Sequence, residues 1–533
     1  MPDNKPTTIV VSKPFGGWIQ TFSGLAASSP AAALEAVGEN ASSQYTYSEA
    51  ISLFRLEKFG HIAPGHVFTA ITDASSRITE LAINGSNAVH STLEKPFVVL
   101  TNGRVVRLDS SGASTEAHYD PVLGAPNHSG HTIASSNNVD LITMKDQAAT
   151  PVTWVVWSWE DGTDSDIGII QADLSTGADP DWFSAVINSN TELLKSVPHK
   201  LALGPDGNLY VTDGSYIRQV NITGALGSAT LGEVLPLGPS WTANGICNYK
   251  NYVAIIGHQS VIGFTGITRS VCRVWLWDGY SDGYNFSFDI PDNYANAIYS
   301  DGQQLLAFTE GRHNSSKLWR FNGSEFVKEF DGDAVSNTGT PIQGALEDYQ
   351  NSILIGSGKH IYRWFSGGFH DEAIVSDGTN EATSVGMVKN LFQARIWVGV
   401  SYGGPTYKIY YLSSFLQYYT PANFRTQLYD MGFAGTITGI RVYFSQFGTG
   451  ASVVFSLFKN YDSFGVGGAN DVLNKTVDFS TYGTLTEFDL MDANMPAVTD
   501  VSSFYMNFQF NHASVSNTAA IIRKVEIDWV PSK

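Results

Sequence analysis

Between residues 97 and 411 the chain keeps returning to one short pattern. An apolar strand runs into a turn rich in Asn, Asp and Gly. A second apolar strand, a second turn and a strand carrying aromatics follow. The first turns recur about every 40 to 50 residues, and this interval limits the architecture more than any other feature. Helical repeats of that length need apolar residues at i, i+3 and i+4, whereas these segments alternate instead. The clearest copy is Leu201 to Val220. Leu201 and Leu203 lead into Pro205-Asp206-Gly207-Asn208, where Pro presets φ and Gly accepts positive φ. Leu209, Tyr210 and Val211 restart the strand, Asp213-Gly214 turns it again, and Tyr216, Ile217 and Val220 form the third strand.

Looser copies flank this one. Phe97 to Leu108 turns at Asn102-Gly103, and Ile246 to Ile256 turns at Lys250-Asn251 before Val274 to Gly279. Ala297 to Gly302 leads to Leu305–Phe308 and then to Leu318–Gly323. Ala345 to Ile355 turns at Gln350-Asn351 and continues into His360–Trp364. Met387 to Val400 turns at Lys389-Asn390 and continues into Tyr407–Tyr411. Strand–turn–strand–turn–strand units at this period predict a β-propeller over residues 61–420, with roughly seven blades and a first strand at His66–Asp73. The copy at Leu201–Val220 resembles the NHL type of propeller repeat, and none carries the Trp-Asp dipeptide of the WD40 type. A β-sandwich of many hairpins is the other architecture these strands fit.

The two ends read differently. In residues 1–60, Thr7–Ser12 reads as a strand and Pro14-Phe-Gly-Gly-Trp18 as a turn with aromatics. Ser48 to Leu56 has a Ser N-cap and near-helical apolar spacing, which predicts a short helix. This segment fits either an assembly arm lying on a neighbouring subunit or a cap on the propeller. Residues 421–533 alternate apolar and polar through Ser452–Phe458, Thr484–Leu490, Phe504–Phe510 and Ile521–Trp529. Strands buried on one face predict a jelly-roll-like β-sandwich. The expected fold class is therefore all-β: a propeller, a C-terminal sandwich and a short N-terminal arm.

Charged residues make up only 15% of the chain, and the formal net charge is −19. With no basic run, that balance disfavours nucleic acid and anionic membrane surfaces as partners. Cys247 and Cys272 are too few for a disulfide framework and read as two buried thiols, though a pair on neighbouring strands is the alternative. Met1 to Val10 lacks the pattern of a signal peptide, and no apolar run is long enough for a membrane-spanning helix. The sequons at Asn84, Asn221, Asn314 and Asn322 are therefore not read as glycosylated.

Taken together, Pro14–Trp18, the propeller opening near Gly60-His-Ile-Ala-Pro-Gly65, and a terminal sandwich running from Leu428–Gly432 through Gly439–Phe444 to Val525–Trp529 resemble structural proteins of tailed bacteriophages. The resemblance rests on architecture and carries no catalytic residue. It implies a non-enzymatic virion protein, made in the host cytoplasm without a signal peptide. Such a protein is tail-associated (tube, nozzle, collar or tip) and assembles with other virion proteins and with its own copies in rotational symmetry. A tail-tip adhesin for host glycan is the alternative, and a metal-dependent propeller hydrolase a second one.

Individual residues give few leads to chemistry. Trp18, Trp275, Trp277, Tyr410, Tyr411, Tyr418 and Tyr419 are candidates for partner or glycan contact, because aromatic faces stack on sugars and on proteins. The hairpin from Trp159 to Asp166 places Asp161, Asp164 and Asp166 where oxygen ligands could hold Ca2+, but it lacks EF-hand spacing. Asp206, Asp213, Asn251 and Asp301 are the acidic and amide residues an axial metal would need, yet turns favour the same residue types for local hydrogen bonds. His199, His258 and His360 share no spacing. No cofactor is expected.

Overall fold

A computed structural model describes residues 7–12, 19–20, 44–49, 51–52, 63–64, 68–74, 78–83, 96–100, 105–107, 118–119, 139–145, 153–160, 165–171, 183–186, 193–194, 196–222, 229–262, 268–311, 316–331, 343–349, 352–365, 368–375, 382–391, 395–402, 407–412, 421–426, 429–446, 448–459, 471–482, 487–491, 497–512 and 520–532. The chain is an all-β β-propeller joined to a curled half-barrel sheet. Six four-stranded blades are built from consecutive strands, covering 78–119, 141–186, 201–236, 241–290, 294–331 and 346–374. A further four-stranded sheet joins Ser384–Leu391, Arg395–Ser401 and Tyr407–Leu412 to Phe68–Ala74, from much earlier in the chain. Two compact units result: residues 1–68, 360–376 and 412–533, and residues 69–359 with 377–411. Among the described residues, no helix is long and apolar enough to cross a membrane.

The continuous apolar runs are explained by burial on both faces of a blade. Leu209 and Val211 pack with Trp154, Val156, Ile167 and Ile169 of the preceding blade. Tyr210, between them, packs with Trp241, Val253, Ile255, Trp275 and Trp277 of the following blade. One blade on, Ala254, Ile256, Val274 and Leu276 face forward to Ile298, Leu305 and Ala307. Alternate residues thus serve alternate neighbours, and neither set meets water. Each fully buried Val, Leu or Ile among them stabilises the fold by roughly 1.5–3 kcal/mol.

The blades also repeat their irregularities. The first-to-second strand pairing slips at Ala243/Gly245, Ala295/Ala297 and Val385/Met387. The third-to-fourth pairing slips at Ile217/Arg218, Leu318/Trp319 and Ile361/Tyr362. A bulge adds one residue and strengthens the local twist. Its recurrence at matching places shows that the loose sequence copies are one structural unit.

The C-terminal region forms one connected ten-stranded sheet. Its main path runs from Thr7–Ser12 through Ile521–Pro531, Tyr429–Gln446, Val498–His512, Ala422–Thr426 and Gln44–Glu49 to Ile19–Gln20. Two long strands allow the curl. Tyr429–Gln446 pairs with Ile521–Pro531 over Gly435 to Gln446 and with Val498–His512 over Tyr429 to Ile437, with register shifts in both pairings. Bulged strands that change partners bend a sheet around one core. That core includes Phe424, Ile440, Phe455, Phe504, Phe508, Val525 and Trp529.

The expected strand at Thr7–Ser12 forms and pairs with the last strand, Thr7 opposite Trp529 and Ser12 opposite Lys524. The expected helix at Ser48 to Leu56 does not form at its start. Gln44–Glu49 is a strand on Ala422–Thr426, and Ile51–Ser52 pairs with Ala63–Pro64. The alternating Tyr45, Thr46 and Tyr47 favour strand, and an available sheet edge outweighs a weak helical spacing.

Candidate functional site

The ends of the blades where the first strand begins and the second ends gather most of the buried polar groups. Asp140, just before a first strand, accepts hydrogen bonds from the amides of Leu141 (2.9 Å) and Leu201 (2.8 Å), while its own amide donates to Ser158 Oγ (2.9 Å). Burial pushes its carboxyl up, against the pull of Lys200. Lys200 Nζ donates to the carbonyl of Val139 at 2.8 Å. One blade on, Asp213 accepts from the Leu194 amide (2.7 Å) and from Arg218 Nε (2.5 Å), with His199 Nε2 at 3.4 Å. Burial pushes the Asp213 carboxyl up, but His199, the Leu194 amide and Arg218 outweigh it, and the net shift is downward. Two blades further, buried Asp292 accepts from Thr309 Oγ1 (2.5 Å), Trp319 Nε1 (2.8 Å) and Lys317 Nζ (2.8 Å). In each case a carboxylate ties strand ends or strands of a blade together.

Between the 241–290 and 294–331 blades lies a cluster with accessible chemistry. Asn244 and Asn296 are the extra residues of two equivalent first-strand bulges. Asn244 Oδ1 lies 2.7 Å from His258 Nδ1, and Asn244 Nδ2 donates to Tyr294 Oη at 3.3 Å. The His258 and Tyr294 rings lie 4.2 Å apart at 42°. Asn296 Nδ2 reaches Glu310 Oε1 at 3.4 Å. Tyr294 is 40% exposed, so the cluster meets solvent. Burial lowers the His258 pKa and raises that of Tyr294. A neutral imidazole donating from Nδ1 to Asn244 presents Nε2 as an acceptor. The arrangement can bind a hydroxyl or amide beside an aromatic face. The nearest thiol, Cys272, is pushed up by burial and donates to the Asp292 carbonyl at 3.5 Å, so it is not poised as a nucleophile.

The depressed His258 pKa gives a pH prediction. The unfolded chain binds the proton first as pH falls below about 6.5. His258 therefore contributes stability that is complete above that pH and declines as the pH drops toward its folded pKa. A His258→Gln variant should lose that part of the acid-side decline, read from urea midpoints at pH 7.5 and pH 5.5. An unchanged slope would mean His258 titrates normally.

The aromatic residues singled out from the sequence fall in two groups. Trp275, Trp277 and Tyr410 are 0%, 2% and 1% exposed, so none offers a ring face to a partner. Trp275 stacks edge-on against Trp241 and Trp277 against Tyr210, with centroids 4.9 and 5.1 Å apart. Burial on both blade faces converts an aromatic-rich strand into core. Trp18, Tyr418, Tyr419 and the Tyr411 side chain lie outside the described residues, as do Asp161, Asp164 and the Asp166 side chain. Among the described residues no group of three or more His, Cys, Asp or Glu is arranged to hold a metal.

Of the four turn residues weighed for an axial metal, Asp206, Asp213 and Asp301 belong to no such group, and the two turn carboxylates of Asp206 and Asp301 are engaged locally. Asp206 accepts from the Asn208 amide, Asn208 Nδ2 and Tyr210 Oη at 3.0, 2.6 and 2.6 Å. Asp301 accepts from the amides of Gln303 and Gln304. Asp206 lies in the turn before, and Asp213 at the far end of, the strand Leu209–Asp213, which at about 3.3 Å per residue spans about 13 Å. Cys247 and Cys272 are both free, on strands separated by Tyr252–Ile262.

Three exposed aromatics gather instead at the hairpin between Thr268–Trp277 and Phe286–Ile290. Tyr280, Tyr284 and Phe286 are 77%, 41% and 51% exposed. The sequence carries the signal in Asp278-Gly-Tyr-Ser-Asp-Gly-Tyr-Asn-Phe286, where each ring is flanked by turn residues. Rings in such a loop stay outside the sheet, whereas rings in the strand before it are covered.

No family model matches the chain, and no curated protein matches it. Among solved structures it is similar to the β-propeller domain of Myceliophteria_thermophila Cps50 (Swd1), with a TM-score of 0.39 and 12% identity over 64% of this chain and 99% of that one. It is also similar to a glucose dehydrogenase, with a TM-score of 0.35 and 12% identity over 65% of this chain and 99% of that one. Likenesses this distant have no bearing on what this chain does.

Proposed function

We propose that the protein is a non-enzymatic, tail-associated structural protein of a bacteriophage virion, and that it works through protein–protein assembly in a rotationally symmetric homo-oligomer. On this reading the sheet completed by Phe68–Ala74 is a seventh blade, and the curled C-terminal sheet does the work of a jelly-roll domain. The observation that carries the proposal is the use made of the buried carboxylates. Asp140, Asp213 and Asp292 are each bound by amides or side chains that hold strands in place, so burial has been invested in a rigid scaffold. The acidic, weakly charged composition and the phage-like order of segments support the same reading.

Native mass spectrometry and negative-stain imaging of the purified chain test it. Rings or tubes of many copies, and detection of the chain in purified phage particles, are the expected results. A monomer at all concentrations, or metal-dependent hydrolase turnover, would overturn it.

A further inference from the structure

We infer that the hairpin at residues 277–286 is a binding surface for neutral glycans, with Tyr280 and Tyr284 as the stacking platforms. The inference stands whether or not the protein is carried on a virion. Its first support is preorganisation. The Asp278 carboxylate accepts from the amides of Tyr280 and Ser281, from Ser281 Oγ and from Asn285 Nδ2, all at 2.8–2.9 Å. Asn285 Oδ1 accepts from the Asp278 amide at 2.8 Å, and the Asn285 amide donates to Leu276 O at 2.9 Å. From beneath, buried Trp277 donates through Nε1 to Ser281 O at 2.8 Å. The rings are thus held out by a tied loop, and binding need not order it.

The neighbouring blade braces the same loop. Gly279 has φ +85°, and a Cβ there would lie 3.3 Å from Asp206 Oδ2 and 3.4 Å from Tyr210 Oη. The Asp206 carboxylate, partly exposed, therefore stands beside the hairpin. Exposed Asp282 adds a second carboxylate within the loop.

The chemistry points to a sugar. The C–H face of a pyranose stacks on an exposed ring, while its hydroxyls need acceptors close by. Here rings alternate with Ser, Asp, Gly and Asn, and no aliphatic side chain joins them into the continuous apolar centre of a protein interface. Three carboxylates, those of Asp206, Asp278 and Asp282, and a formal charge of −19 select against sialylated or phosphorylated glycans.

Affinity electrophoresis of the full chain through gels containing dextran, galactan, hydroxyethyl cellulose or polysialic acid tests the inference. Retardation by at least one neutral polymer and none by polysialic acid is expected. Tyr280→Ala with Tyr284→Ala should weaken that retardation at least tenfold, while Tyr280→Phe with Tyr284→Phe keeps most of it. These side chains are exposed, so the thermal midpoint should be unchanged and loss of folding cannot imitate loss of binding. Retardation by none of the neutral polymers, or equal retardation of the Ala variant, would overturn the inference. So would concentration-dependent self-association that the Ala variant abolishes in sedimentation, since the hairpin would then bind its own copies. Failure here leaves the assembly result untouched, because that is read from particle mass and imaging.

Discussion

Asp292→Ala should destabilise the propeller by about 3–5 kcal/mol in denaturant unfolding at pH 7. The carboxylate is 1% exposed, and three donors converge on it from the second and third strands of its blade. Removing it leaves the buried Thr309 hydroxyl proton without its acceptor and Lys317 without its anion, while the Trp319 indole N–H keeps only its 2.9 Å bond to Thr309 Oγ1. Asp292→Asn should cost less, about 1–3 kcal/mol, because an amide oxygen still accepts but the charge is gone. Thr309→Val removes one donor and should cost about 1 kcal/mol. A loss below 1 kcal/mol for Asp292→Ala would show that the network is not what joins these strands.

Gly435→Ala should lower the stability of the C-terminal sheet by about 2–4 kcal/mol. A Cβ at Gly435 would lie 2.3–2.5 Å from three atoms of the Trp529 indole. That ring is 2% exposed, donates to Val501 O at 3.2 Å and packs against Phe433 at 5.1 Å. It cannot withdraw without breaking the hydrogen bond and vacating the core. Tryptophan fluorescence during urea unfolding reads the change, and an unaltered midpoint would mean that the indole relocates freely. Trp529→Phe in the Gly435→Ala background should recover part of the loss, because the smaller ring clears the methyl group.

The blades were legible in the sequence because their turns are chemically explicit. Asp206-Gly207 and Asp301-Gly302 place positive φ at Gly207 and Gly302, as the turn chemistry demands. Their strands were legible as strands but not as to facing. A run such as Val274-Trp-Leu-Trp277 looks like a surface rich in aromatics until both neighbouring blades cover it. The exposed rings lay only three residues downstream, and the deciding signal was the turn composition around them rather than the density of aromatics. The half-barrel was less legible, because alternation reports one buried face and says nothing about partner order. Nothing within Tyr429–Gln446 announces that one strand will serve several partners along its length. The Asn244, His258 and Tyr294 cluster was invisible for a different reason: its members are brought together by bulges and by adjacent blades, not by spacing.

The pairing of Thr7–Ser12 with Ile521–Pro531, and of Phe68–Ala74 beside Tyr407–Leu412, sets a schedule for the ribosome. Blades of consecutive strands can close as they emerge, since their contacts are local. The ten-stranded sheet cannot be completed until Ile521–Pro531 has emerged, and until then Thr7–Ser12 must wait without its partner. A chain of this kind is most exposed to mispairing during synthesis, and slow release or chaperone shortage should affect its yield far more than its stability once folded.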